Sequence, residues 1–161
     1  MDMSAIVLIG GLFFLAVLAL FVLAWAGRRR RVGFRPRPFL TANELEFLGR
    51  LEAAAPELRF HAQVSMGALL QPSITQAQDA QAFMAARGRF SQKIVDFVAQ
   101  RRDTGAVVAV IELDDRTHEP ERDQRRDAML HEAQYRVVRW QSRAKPDRRA
   151  IRAELCGPHG P

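Results

Sequence analysis

The sequence predicts an α/β domain that follows one N-terminal transmembrane helix. Helical and strand-like patterns alternate after residue 40, and one run, residues 106–111, is entirely apolar. Such a run is typical of a central strand that is covered on both faces. A third observation, an uncharged apolar segment near the N-terminus, predicts the transmembrane helix. The predicted domain, residues 41–155, has an ordinary size for a single folded unit.

Residues 1–27 have the composition of a membrane anchor. Residues 5–26 are all apolar or Gly, and these 22 residues reach about 33 Å as a helix, enough for a hydrocarbon core of about 30 Å. Arginines follow at positions 28–31, 35 and 37, whereas Asp2 is the sole charged side chain before the run. Because basic flanks stay on the cytoplasmic side, we expect a single-pass inner-membrane protein with its N-terminus outside and its domain in the cytoplasm.

A cleaved signal peptide is the alternative, since Ala24-Trp25-Ala26 has the form of a cleavage site. The apolar run is too long for a signal peptide, no basic segment precedes it, and four arginines would follow the cut. These features favour the anchor.

The positive charge of the chain is concentrated beside the predicted span. Six of the 24 Lys and Arg residues lie in the linker, residues 28–40, which leaves 18 basic against 17 acidic residues in the remainder after Asp2 is set aside. The anionic lipid headgroups of the bilayer account for such a cluster. Net charge therefore gives no argument for nucleic-acid binding by the domain. The single Cys156 excludes an internal disulfide and a Cys-based zinc site.

The first half of the domain combines a helix, a strand and a less regular segment. Thr41 and Glu44 have the spacing of a capping box, and an apolar helical face continues to about Ala55. Residues 58–65 alternate as in a strand, which places four side chains on one face: Leu58, Phe60, Ala62 and Val64. Residues 66–70 and 75–86 are predicted to form short helices.

The second half begins with a predicted hairpin. Strands at residues 91–99 and 106–113 are joined by Asp103-Thr104-Gly105, which has the composition of a turn. A helix over residues 121–133, a strand over 135–140 and a last helix over 146–155 follow, and residues 156–161 are expected to form a flexible tail. The predicted order after the anchor is α-β-(α)-β-β-α-β-α.

Three acidic residues converge in this arrangement. If the hairpin is centred on Thr104, the numbers of paired residues add up to about 208, so Asp96 lies opposite Glu112. Asp114 shares the face of Glu112, because it lies two residues further along the same strand. Three such carboxylates repel one another unless a cation lies among them, and Mg²⁺ or Mn²⁺ is the natural oxygen-bound ion.

A purely structural interpretation competes with this metal site. Glu112 and Asp114 could be solvated at the end of the strand, or Asp114 or Asp115 could cap the helix that follows. Asp96 argues against it, because a carboxylate inside an apolar strand is costly without a partner. The residues alone leave both interpretations open.

Several segments resemble a bacterial family, the domain of unknown function 2726. They are residues 91–98, 109–118 and 135–140, the pair Arg126-Asp127, the pattern Leu40-Thr41-x-x-Glu44 and the pair Gln63-Val64. The resemblance extends from about Leu40 to Arg152. This family is grouped with the restriction-endonuclease-like, PD-(D/E)xK superfamily, and its members often carry an N-terminal membrane helix. The resemblance therefore implies an αβββαβ core with a mixed sheet.

The resemblance also implies roles for individual residues. Asp96 is similar to the first metal-binding Asp, Glu112 to the acid of the second motif, and Glu44 to an accessory acid that contacts the metal through water. Two positions depart from the pattern: Val95 replaces a Pro, and Asp114 stands where the catalytic Lys belongs. An Asp there adds a metal ligand but removes a cation, and His118 is the candidate that replaces it.

Two functions follow from these observations. The first is a membrane-tethered, metal-dependent nuclease with Asp96, Glu112, Asp114 and His118 at its centre, the bilayer and nucleic acid as partners, and Mg²⁺ or Mn²⁺ as cofactor. The second is a catalytically inactive module that binds nucleic acid or a protein. The chain contains no P-loop, GxGxxG or GxSxG motif, and its oligomeric state is not predicted.

Overall fold

A computed structural model describes residues 2–27, 33–114 and 120–157, without the side chains at residues 5–6, 23–27 and 120–123. The chain divides into two units, Met1–Arg37 and Pro38–Pro161. The first contains helix α1, Met3–Gly27. Among the residues described, no helix is both long and apolar enough to cross a membrane. The anchor stays a prediction from the sequence.

The second unit begins with helix α2, Ala42–Ala54, whose predicted capping box is confirmed. The Thr41 side chain accepts a hydrogen bond from the Glu44 backbone N–H (3.2 Å), and Glu44 accepts one from the Thr41 N–H (2.6 Å). These bonds satisfy two of the backbone donors that a helix N-terminus leaves unpaired. They also fix the Glu44 side chain at the start of the helix.

Four strands form a mixed sheet in the order β1-β2-β3-β4. The strands are β1 (Leu58–Ser65), β2 (Ile94–Arg101), β3 (Val107–Asp114) and β4 (Val137–Gln141). Strands β1, β2 and β3 pair antiparallel, whereas β4 runs parallel to β3. The predicted hairpin register is confirmed, since Phe97 pairs with Ile111 and Val98 with Val110. Strand β3 is central and buried from Val108 to Asp114, as expected for its apolar run.

Short helical elements complete the unit. They are a 3₁₀ turn (Met66–Ala68), α3 (Ala80–Gly88), α4 (Pro120–Glu132), a second 3₁₀ turn (Ser142–Ala144) and α5 (Arg148–Cys156). Helix α4 connects the two parallel strands β3 and β4, as such a connection requires. The described helices and strands therefore follow the predicted order, with bounds that differ by a few residues.

The sheet separates two hydrophobic cores. Helices α2 and α5 cover one face, where Phe47 and Ile151 join the cluster that contains Phe97 and Ile111. Leu130 of α4 belongs to the cluster on the other side, together with Val98 and Val110. Side chains alternate between faces along a strand, so Glu112 and Asp114 follow Val110 on the α4 side of β3.

The predicted face of β1 is wrong at its last residue. Leu58, Phe60 and Ala62 belong to the α2–α5 core, but Val64 belongs to the α4 core. Gln63 between them has a φ of 53°, in the left-handed region that side chains other than Gly rarely adopt. This conformation interrupts the regular alternation of the strand, which the sequence pattern alone does not reveal.

Candidate functional site

Asp96 and the end of β3 are in direct contact. The Asp96 Oδ2 atom accepts a hydrogen bond of 2.8 Å from the backbone N–H of Leu113, the neighbour of Glu112. The side chain is partly buried, and burial is the main reason that the pKa of Asp96 lies above its ordinary value. The Leu113 hydrogen bond opposes that increase, and the negative charge of Glu44 adds to it. The structure thus brings Asp96, Glu44 and the Glu112 segment into one electrostatic neighbourhood.

Glu112 is an unusually buried carboxylate, with 2% of the residue exposed. Its Oε2 atom lies 3.1 Å from Nη2 of Arg126 on α4. Its Oε1 atom is buried and has no hydrogen-bond partner among the described residues. Burial raises the pKa of Glu112 to about 8, because the loss of hydration outweighs the attraction of Arg126. A buried oxygen without a donor is costly, and each such atom in a native protein calls for an explanation, such as a bound ion or a catalytic role.

Asp114 is held differently, by a two-pronged ion pair. Arg139 of β4 donates from Nε to Oδ2 and from Nη2 to Oδ1 of Asp114, both at 2.9 Å. Its remaining Nη1 donates to Asp127 of α4 at 2.6 Å. These hydrogen bonds raise the pKa of Arg139 further above its ordinary value. The network joins β3, β4 and α4 behind the site, so Asp114 has a structural role in the fold.

Glu44 reaches the site from α2. Its Oε1 atom accepts a hydrogen bond of 2.9 Å from the side-chain amide of Gln63. Its Oε2 atom accepts the capping-box bond from Thr41. The left-handed conformation of Gln63 is therefore found at the residue that positions Glu44. Unusual backbone geometry of this kind often accompanies functional sites.

Comparison with known proteins places these residues in a family. Residues 36–145, more than half of the chain, match the family described as Protein of unknown function (DUF2726). The chain belongs to this family. Glu44, Asp96, Glu112 and Asp114 all lie within the matched segment of the DUF2726 protein. No curated protein and no solved structure matches the chain.

The predicted metal ligands of this DUF2726 protein are only partly assembled. In the described part of the chain, no group of three or more His, Cys, Asp or Glu side chains could hold a metal ion. Asp96 and Glu112 remain as a pair of carboxylates whose charges influence each other, the charge of Glu44 acts on Asp96, and Asp114 is bound to Arg139. His118 and Asp115 lie outside the described residues.

Two cations of the site are not predicted by the sequence patterns. Neither Arg139 nor Arg126 is among the predicted site residues, whereas both contact the acidic end of β3. A signal for them existed, because buried carboxylates require positive partners and α4 covers the face that carries Glu112. The ring of His61 contacts the side chain of Gln100 at 2.9 Å.

Proposed function

We propose that this DUF2726 protein is a membrane-anchored, divalent-metal-dependent phosphodiesterase that acts on nucleic acid. The observation that carries the proposal is the buried Oε1 atom of Glu112, which has no hydrogen-bond partner among the described residues and lies on the strand that contacts Asp96. A cation between these two carboxylates would offset the cost of burying them. Oxygen ligands of this kind suit Mg²⁺ or Mn²⁺.

Two protein carboxylates are sufficient for such an ion. Mg²⁺ is usually bound by one or two carboxylates and completes its coordination with water and substrate phosphates. Asp96 and Glu112 would hold the ion, and Glu44 would act through a water molecule. When bound, the ion would activate a water molecule and stabilise negative charge on the phosphate. Hydrolysis joins the water oxygen to phosphorus and breaks one P–O bond, and the leaving oxygen takes up a proton.

The topology supports a restriction-endonuclease-like core. Helix α2 precedes three antiparallel strands, and α4 leads to the parallel strand β4. This is the order αβββαβ, with a 3₁₀ turn and the short helix α3 inserted between β1 and β2. Asp96 and Glu112 lie on the second and third of these strands, as the resemblance implies for the first metal-binding Asp and the second-motif acid. A fold alone does not determine function, because one fold can carry many unrelated sites. The carboxylate pair is therefore stronger support for the proposal than the topology.

The proposed location is the cytoplasmic face of the inner membrane. The uncharged run of residues 5–26 and the arginines that follow it support a single-pass anchor with its N-terminus outside. Leu12, Phe13 and Phe14 are each more than 60% exposed in α1, as a lipid-facing helix requires. A tethered enzyme of this kind acts on nucleic acid that comes to the membrane.

A non-catalytic binding module is the second candidate. The position of the superfamily's catalytic Lys holds Asp114, whose two oxygens both accept hydrogen bonds from Arg139. The domain also has nearly balanced charge, whereas a nuclease usually presents a basic surface to its substrate. This candidate predicts the same fold without metal-dependent cleavage.

Cleavage by the purified full chain in detergent distinguishes the two candidates. We expect labelled DNA or RNA to be cut in the presence of Mn²⁺, and Asp96→Asn to slow cleavage by at least about a hundredfold, because it removes a charged metal ligand. The matched control is Asp103→Asn, the same substitution in an exposed turn, which should retain full activity. Absent cleavage, or equal rates for Asp96→Asn and the wild-type chain, would favour the binding module.

A further inference from the structure

We infer that Arg126 is the phosphate-binding residue of this site and exchanges between Glu112 and a substrate phosphate oxygen. The inference rests on the proposed function and adds to it the source of positive charge that the Lys position does not supply. Its ligand class is the non-bridging oxygen of a nucleic-acid phosphodiester.

The placement of Arg126 is the first argument. Its side chain is 16% exposed, and Nη2 lies 3.1 Å from the Glu112 Oε2 atom. The positive charge of Arg126 also lowers the pKa of Asp96. The guanidinium thus lies within electrostatic reach of both proposed metal ligands, and part of the Arg126 side chain remains accessible to solvent. A substrate phosphate bound to the same ion would lie beside it.

The other nearby cation, Arg139, is already bound to two carboxylates. Arg139 donates three hydrogen bonds, two to Asp114 and one to Asp127, and these bonds connect structural elements. Arg139 therefore cannot turn to a substrate without breaking a partly buried network. The charge of Arg126, in contrast, lowers the pKa of both Asp96 and Glu112.

The chemistry of the exchange follows from charge. A divalent ion held by Glu112 weakens the attraction between that carboxylate and Arg126, because two cations then compete for one anion. A guanidinium stays protonated in proteins and donates paired hydrogen bonds that match phosphate geometry. A substrate phosphate would then replace Glu112 as the anionic partner of Arg126. Arg126 would thereby orient the phosphate without itself binding the metal.

Two affinity changes in opposite directions test this inference in the full-length chain. We expect Arg126→Ala to raise the affinity for Mn²⁺, measured by calorimetry, by about tenfold, since a competing cation beside the ligand is removed. The same variant should lower the affinity for a fluorescent DNA oligonucleotide, measured with Ca²⁺ in place of Mn²⁺, by about tenfold. Both affinities of Arg126→Lys should lie between those of the wild-type chain and those of Arg126→Ala, because this variant retains the charge and loses the paired donors.

Arg125→Ala is the matched control, because it removes the same charge from an exposed position on the same helix. It should leave both affinities near the wild-type values. Unfolding of the variant would lower both affinities, so it cannot produce the expected rise in Mn²⁺ affinity. A fall in Mn²⁺ affinity with Arg126→Ala would overturn the inference. Unchanged oligonucleotide affinity would overturn it as well. If the wild-type chain binds no Mn²⁺, the proposed function fails, and the inference fails with it.

Discussion

Replacing Arg139 with Ala is expected to lower the free energy of unfolding by about 3 kcal/mol, measured by urea denaturation, because it removes the cation that pairs with a buried carboxylate. The variant removes both hydrogen bonds to Asp114, of which 8% is exposed, and the bond to Asp127. Two acidic side chains then lose the cation that compensates their burial. Since these bonds join β3, β4 and α4, the loss should extend to the whole domain.

Arg136→Ala is a closely matched control for this prediction. Arg136 lies three residues before Arg139, and the two side chains are exposed to nearly the same extent, 27% and 26%. Its partner Glu154 is 47% exposed, and ion pairs at such positions contribute about 1 kcal/mol or less. We expect the Arg136 variant to lose clearly less stability. Equal losses in the two variants would show that the Arg139 network has no special structural role.

The second large effect is a pH dependence that disappears in Glu112→Gln. Burial raises the pKa of Glu112 from 4.5 to about 8, so the native state favours the neutral carboxyl. This contribution to stability is fully present below the unfolded pKa and is lost as the pH rises through about 8. Between about pH 5 and about pH 9 the wild-type chain should lose on the order of 4 kcal/mol relative to the variant, measured without divalent metal.

Asp103→Asn provides the control for this measurement. The hydrogen bond from Arg101 lowers the pKa of Asp103 to about 2, so this carboxylate is ionised over the whole range tested. Its substitution should therefore leave the pH dependence of stability unchanged. If the Glu112 variant shows the same pH dependence as the wild-type chain, Arg126 keeps Glu112 ionised in spite of its burial.

Local chemistry accounts for what the sequence predicted correctly. The capping box at Thr41 and Glu44 requires only residues three positions apart, and the apolar run of β3 identifies a central strand by composition alone. The hairpin register followed from a short turn, and it correctly placed Asp96 across from the Glu112 segment. Each of these predictions depends on neighbours in the chain or on one hairpin.

Tertiary packing decided the features that the sequence did not reveal. Asp114 pairs with Arg139, 25 residues away, and Glu112 with Arg126 on a helix whose position depends on the sheet. The parallel pairing of β4 with β3 brings Arg139 to Asp114, and the packing of α4 against the sheet brings Arg126 to Glu112. The change of face at Gln63 likewise depends on a backbone conformation that is rare outside Gly. The sequence patterns therefore indicate the carboxylates but not their partners Arg126 and Arg139.

The most direct test of the metal site is a calorimetric titration of Mn²⁺ into the full chain in detergent. We expect the wild-type chain and Asp103→Asn to bind one ion, with release of protons because Glu112 must ionise. Asp96→Asn and Glu112→Gln should each weaken this binding by at least about tenfold. Absence of binding by the wild-type chain, or equal binding by all four proteins, would contradict the assignment of Asp96 and Glu112 as metal ligands.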